Sequence, residues 1–169
     1  MKTMLARTLL LFALSSTVAA SAQKTSVDYD HSTNFSSYHT YSWGQVKTVD
    51  SIWADRIKNS VDQQLQAKGW TKVADGGDVA VAALGQARNQ QEEQTFYSGG
   101  GWGWGPGVAT TSTYNTRQGT LVIAMFDTKT KKLIWRGVSD GDLSGKPEKN
   151  IDKLNKSIAK FFKVFPPSK

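Results

Sequence analysis

Apolar and polar residues alternate in some stretches of this chain and recur every four residues in others, so the pattern predicts both strands and helices. Val27-Asp28-Tyr29-Asp30 alternates as a strand with one wet face does. A turn-like stretch from His31 to Asn34 precedes Phe35. His39-Thr40-Tyr41-Ser42-Trp43 then alternates again, with His39, Tyr41 and Trp43 on one face and Gly44 at its end. Trp53, Ile57, Val61 and Leu65 recur at i, i+4 spacing, the apolar stripe of an amphipathic helix over residues 52–68. Ser51 is placed to cap that helix, and Gly69 to stop it in the left-handed conformation.

A short strand is expected from Trp70 to Val73, followed by a turn at Gly76-Gly77. Asp78 to Leu84 reads as a buried strand that the polar tract Gln86 to Gln94 extends. Thr110 to Thr116 is β-prone and polar, and Thr120 to Phe126 is the apolar run of a central strand. Asp127 to Lys131 is a turn, and Leu133 to Val138 is the returning strand of a hairpin. Pro147 suits the first turn of a second helix over 147–164, because the N–H it lacks would be unpaired there. Ile151, Leu154, Ile158, Phe161, Phe162 and Phe165 lie on one face of that helix. Lys149, Lys153, Lys156, Lys160 and Lys163 lie on the opposite face, and Pro166-Pro167 ends it. Two helices with one apolar stripe each need a surface to cover. The expected fold class is therefore α+β: an antiparallel sheet of about four to six strands with both amphipathic helices packed on one face.

The N-terminal residues change the picture by adding a compartment. Lys2 and Arg7 precede an apolar run from Leu9 to Leu14, and Ala20-Ser21-Ala22 closes a small-residue segment. That is a secretory signal, with small residues where the peptidase subsites require them. Cleavage is expected before Gln23, with cleavage after Ala20 as the alternative. The run is too short to span a bilayer, which takes about 20 residues. Residues 1–22 are thus expected as signal peptide and 23–169 as a single exported domain, periplasmic or secreted, with no transmembrane segment in the mature chain. Removing 22 of the 169 residues leaves 147, with 19 basic against 14 acidic side chains. A surplus of this size favours anionic partners only weakly.

The chain contains no cysteine. Thiol nucleophiles, Cys-ligated zinc, disulfides and lipoprotein attachment are therefore excluded, so the protein is expected not to be lipid-anchored. The two histidines, His31 and His39, have only Asp28 and Asp30 near them in sequence. Those carboxylates share a strand face from which His31 points away, so no metal site is expected. Glu92-Glu93 and Asp140/Asp142 read as turn or solvated acids, and no catalytic motif or cofactor fingerprint is present.

Two surfaces remain as binding candidates. Residues 98–107 contain six glycines around Trp102 and Trp104, with Tyr97 before them and Tyr114 after. Such a stretch forms a loop, and exposed aromatic rings at its tip would suit a glycan, a membrane interface or a protein pocket. The lysine stripe 149/153/156/160/163 would offer a basic surface, or simply the solvated face that any amphipathic helix has. Its few aromatic neighbours and the export signal exclude nucleic acid as a partner.

With these landmarks placed, the chain resembles the bacterial domain of unknown function 4136 family. The resemblance runs through Val27-Asp28-Tyr29-Asp30, Phe35 to Trp43, Leu65-Gln66-Ala67-Lys68-Gly69-Trp70, and Asp78-Val79. It continues through Gly119 to Ile123, Asp127, Leu133 to Gly137 and Phe165-Pro166-Pro167. It implies an envelope protein without an established activity or catalytic residues to carry across. Tyr41, Trp43 and Trp135 would pack on the sheet, and Gly69 would stop the helix. Many members are lipoproteins, but the missing cysteine means that a lipid tether is not inherited. The expected function is that of an exported envelope protein acting as a non-catalytic binding or scaffolding domain, its partner an envelope component, glycan or protein. The alternative is an exported enzyme with dispersed catalytic acids.

Overall fold

The computed structural model describes residues 24–98 and 108–165. The expected signal peptide and the glycine-flanked Trp102 and Trp104 lie outside the described residues. Six strands and two α-helices follow one another as β1 (Lys24–Tyr29), β2 (Thr40–Lys47), α1 (Ser51–Ala67), β3 (Thr71–Lys72), β4 (Val79–Ser98), β5 (Val108–Asp127), β6 (Leu133–Asp142) and α2 (Pro147–Phe162). A single 3-10 turn, Phe35–Ser37, sits between β1 and β2.

The strands form one sheet in the order β1-β6-β5-β4-β2-β3. β1, β6, β5 and β4 pair antiparallel. β2, however, runs parallel to both β4 and β3. The α+β class holds, but the sheet is mixed where the alternation suggested a purely antiparallel one. The cause is α1: a helix inserted between two strands of one sheet carries the chain back to the starting edge, so the next strand runs the same way.

Strand periodicity decides which side faces the helices. Val79, Val81 and Ala83 of β4, Leu121, Ile123 and Met125 of β5, and Trp135 of β6 are buried on that side. Ile57, Val61 and Leu65 of α1 and Leu154, Ile158, Phe161 and Phe162 of α2 complete the core. Trp53, the first residue of the α1 stripe, is only half-buried, with the Arg56 guanidinium 4.9 Å above its ring. α1 is capped by Asp50, whose carboxylate accepts from the Trp53 amide at 2.8 Å; Ser51 is the first helical residue instead. Gly69 stops the helix at φ +84°, a conformation that a Cβ would disfavour.

β4 and β5 outrun their neighbours. β2 leaves β4 at Leu84, and β6 pairs with β5 only from Gln118 onward. From Asn89↔Arg117 to Ser98↔Val108 the two strands continue as a two-stranded ribbon. Ten residues per strand at roughly 3.3 Å each give it a length of about 30 Å.

Candidate functional site

The helix-facing side of the sheet changes character along its strands. At the end where β4 begins and β5 stops, aromatic rings fill the space. Trp135 lies 5.4 Å from Phe162 and 5.7 Å from Phe165, and Phe165 lies 5.3 Å from Trp70 and 5.8 Å from Phe35. At the opposite end the same face carries Gly85 and Ala87 on β4, Gly119 on β5, and Ser139 and Gly141 on β6. The helices span both ends, so small residues beneath them leave a cleft of about 160 Å³. Trp53 and Ile57 of α1 form one wall, and Asn150, Lys153, Leu154 and Ser157 of α2 the other. The α2 residues follow i, i+3, i+4, i+7 spacing, so they share a helix face. Arg117 and Ala87, at the root of the ribbon, mark the mouth.

Two of the polar side chains that line the cleft, Lys153 and Arg117, are cations. Lys153 Nζ donates to the Asp142 carbonyl at 2.6 Å and makes no ion pair with any described residue. Ser139 and Ser157, both essentially buried, share one hydrogen bond at 3.0 Å. Two hydroxyls joined by one bond leave one O–H proton over, and no described residue accepts it. Opposite Ser139 in the β1–β6 ladder, the buried Thr25 hydroxyl also lacks a partner among the described residues. Asn150 is occupied: its carboxamide accepts from the Ser144 amide at 2.7 Å and donates to the Ser144 carbonyl at 2.8 Å, pinning the β6–α2 loop to the helix. No carboxylate side chain lies among the described residues that line the cleft.

The remaining clusters of titratable groups are internally satisfied. Asp62 accepts from the Tyr41 hydroxyl, the Trp43 indole and the Lys72 ammonium, each at 2.8 Å, and so ties α1 to β2 and β3. Burial first, and then this carboxylate, pushes the Tyr41 hydroxyl well above its ordinary range. Tyr41 and Trp43 are thus more than the packing residues the family resemblance implied. Asp127 takes the Thr130 and Lys129 amides and the Tyr38 hydroxyl. The Thr130 amide, followed by the Tyr38 hydroxyl, pulls its carboxyl down to about 2. Burial and the Asp127 bond push Tyr38 up to about 12. Asp78 accepts from the His39 and Thr40 amides and the Thr40 hydroxyl, which lower its carboxyl below the usual range. Three or more metal-ligating side chains do not converge anywhere among the described residues.

Of the sequence-derived candidates, Tyr97 lies on β4 opposite Ala109 and Tyr114 on β5 opposite Glu92, both in the ribbon. Lys149, Lys156 and Lys160 on α2 and Lys163 just after it are exposed, whereas Lys153 is half-buried at the cleft. The cleft itself had no representative in the sequence reading beyond Lys153. The isolated glycines in otherwise good strands were the available signal, since a strand glycine often marks close approach.

The family model for the domain of unknown function DUF4136 matches residues 25–167. The chain belongs to this family. A search of the curated proteins finds no match. Among solved structures, the DUF4136 chain is similar to a PDZ domain protein from Parabacteroides distasonis, with a TM-score of 0.58 at 11% identity. That match covers 88% of this chain but only 38% of the other. It is also similar to the PelC dodecamer from Paraburkholderia phytofirmans, with a TM-score of 0.51 at 9% identity, covering 83% of this chain and 94% of that one. At such identities the likeness is one of fold. No helix among the described residues is long and apolar enough to cross a membrane.

Proposed function

We propose that this DUF4136 protein is exported to the bacterial envelope, where it serves as a non-catalytic binding domain. The observation that carries the reading is the cleft. Two helices and a sheet line it, and the strands carry small residues there, whereas the opposite end of the same surface is filled with rings. A pocket lined by apolar groups with a few converging donors is the usual form of a small-molecule site. A lining with two cations and hydroxyl and carboxamide groups suits holding a ligand better than moving a proton, which takes a base beside the reacting atom.

Export is supported by the charged start, short apolar run and Ala20-Ser21-Ala22 closure. A domain over 23–169 without a lipid anchor would then be periplasmic or secreted. The ribbon offers a second surface, with Tyr97 and Tyr114 on its strands and Trp102 and Trp104 between them, for an envelope glycan or protein. A similar fold that assembles as a dodecamer is compatible with a scaffolding contribution.

Cell fractionation followed by N-terminal sequencing tests the first half of this reading. The expected product starts at Gln23 in the periplasm or medium; a chain starting at Met1 in the membrane fraction would overturn it. For the binding half, the ribbon variant Trp102→Ala/Trp104→Ala and the cleft variant Ala87→Phe are compared for attachment to isolated envelopes. Loss in either identifies the surface used, and full attachment by both refutes it.

A further inference from the structure

We infer that the cleft takes a small organic acid: a compact apolar body of about benzene size seated among Trp53, Ile57, Leu121 and Leu154, with its carboxylate turned toward Lys153 and Arg117. This deepens the binding reading above and rests on it.

Size comes first. The cleft holds about 160 Å³. An apolar cavity of roughly 150 Å³ is sufficient for benzene. Leu121, Leu143, Leu154, Ile57 and the Trp53 ring supply apolar contact around it.

Charge comes second. Lys153 is half-buried, spends one of its three N–H donors on the Asp142 carbonyl, and has no counter-ion among the described residues. Arg117 adds a second cation at the mouth, likewise without an ion pair among the described residues. The nearby carboxylates are turned elsewhere: Asp140 accepts from Thr120 and Asp142 from Gln118, and neither forms an ion pair with Lys153. A half-buried ammonium facing an apolar cavity is completed by an anion, and a positively charged ligand would meet two cations instead.

The third observation is independent of the charges. Ser157 stands one turn beyond Lys153 on the same face of α2, and its bond to Ser139 leaves a buried hydroxyl proton without an acceptor. A carboxylate oxygen is an acceptor of the required kind. Lys153, Ser157 and Arg117 would then hold the acid group by charge-assisted bonds, and the volume of the cleft would select for a small body.

Benzoate, benzyl alcohol and benzylamine share a shape and differ in charge, so they separate these contributions. The purified full chain is titrated with each, and the amide resonances of Gly119, Leu154 and Ser157 are followed by NMR. Benzoate is expected to shift all three saturably, benzyl alcohol to bind about tenfold to a hundredfold more weakly, and benzylamine not at all. Lys153→Met should weaken benzoate severalfold towards the level of benzyl alcohol while leaving the alcohol unchanged. Lys153→Gln serves the same purpose if the first variant folds poorly, and the ligand series on the unmodified chain needs neither. Equal binding of alcohol and acid at these amides would overturn the inferred charge selection while leaving the cleft a binding site. If none of the three moves these resonances, both the inferred ligand class and the cleft as binding site are refuted.

Discussion

The two ends of the helix-facing sheet surface are built from the same strands and covered by the same helices, yet one is solid and the other hollow. Around Trp135 the strands present large side chains, and α2 with the segment after it answers with Phe161, Phe162 and Phe165. Around Gly119 they present glycine, alanine and serine, and α2 answers with Leu154, Ser157 and Lys153. A domain of this size can hold its fold with one well-packed region, since net stability is the small residue of large opposing terms. The aromatic end supplies dense packing, which relieves the glycine end of that role.

The strongest way to break this contrast is at its solid end. Trp135→Ala removes a fully buried ring touching three phenylalanines, and a loss of about 3–5 kcal/mol is expected by chemical denaturation. An unchanged midpoint would show that the aromatic end does not carry the fold.

Adding one methyl group at each end sharpens the comparison. A Cβ on Gly137 would meet the Phe161 ring at 2.8 Å, and that ring is fixed within the cluster. Gly137→Ala is expected to lose about 1–3 kcal/mol. A Cβ on Gly119 would also come within 2.8 Å of a side chain, but there it meets the far end of half-buried Leu143, which can turn aside. Gly119→Ala should lose less than about 1 kcal/mol, towards the range of surface changes. Equal losses would mean that both ends are packed alike.

The serine pair gives a smaller effect with a distinctive sign. Ser157→Ala strands the buried Ser139 hydroxyl and should cost about 1 kcal/mol, whereas replacing both serines by alanine should be nearly neutral. A double variant weaker than the single one would contradict that account.

The least effect is expected at the rim of the aromatic end, and only in acid. The Asp127 carboxyl is held at about 2 in the folded chain, below its ordinary 3.8. A lowered folded value contributes stability above the ordinary one, and that contribution is lost as pH falls from about 4 through about 2. Asp127→Asn should flatten the acid side of a stability profile without abolishing its slope, because Asp78 is lowered as well. An unaltered slope would refute the assignment.

The helices were legible because their stripes are long and regular: Ile57, Val61 and Leu65 are buried as spaced, and so are Leu154, Ile158, Phe161 and Phe162. Hairpin β5–β6 was legible from its apolar runs and the Asp127–Lys131 turn. Four features escaped, each for its own reason. The direction of β2 relative to β4 depends on which edge the crossover reaches, which no local pattern encodes. Asp50 and Ser51 are both good caps, and only geometry chooses between adjacent candidates. The cleft is built from Gly85, Gly119 and Gly141 on three strands, each unremarkable alone, and becomes a site only when pairing sets Gly119 beside Gly141 and opposite Ala87. Asp62 was missed because its partners Tyr41, Trp43 and Lys72 lie on other elements.

The placement of β1 also has a consequence for how the chain becomes a protein. Its ladder partner is β6, and Asp28 meets Arg136 across 108 residues of sequence. The first strand to be synthesised can therefore be joined to the sheet only after nearly everything else exists, and closing so long a loop is entropically slow. An emerging chain lacks the partner that would lock its leading segment. Delayed closure of this kind keeps the leading segment extended and threadable until synthesis is almost complete, the state in which a polypeptide can be passed through a narrow channel before it folds on the far side.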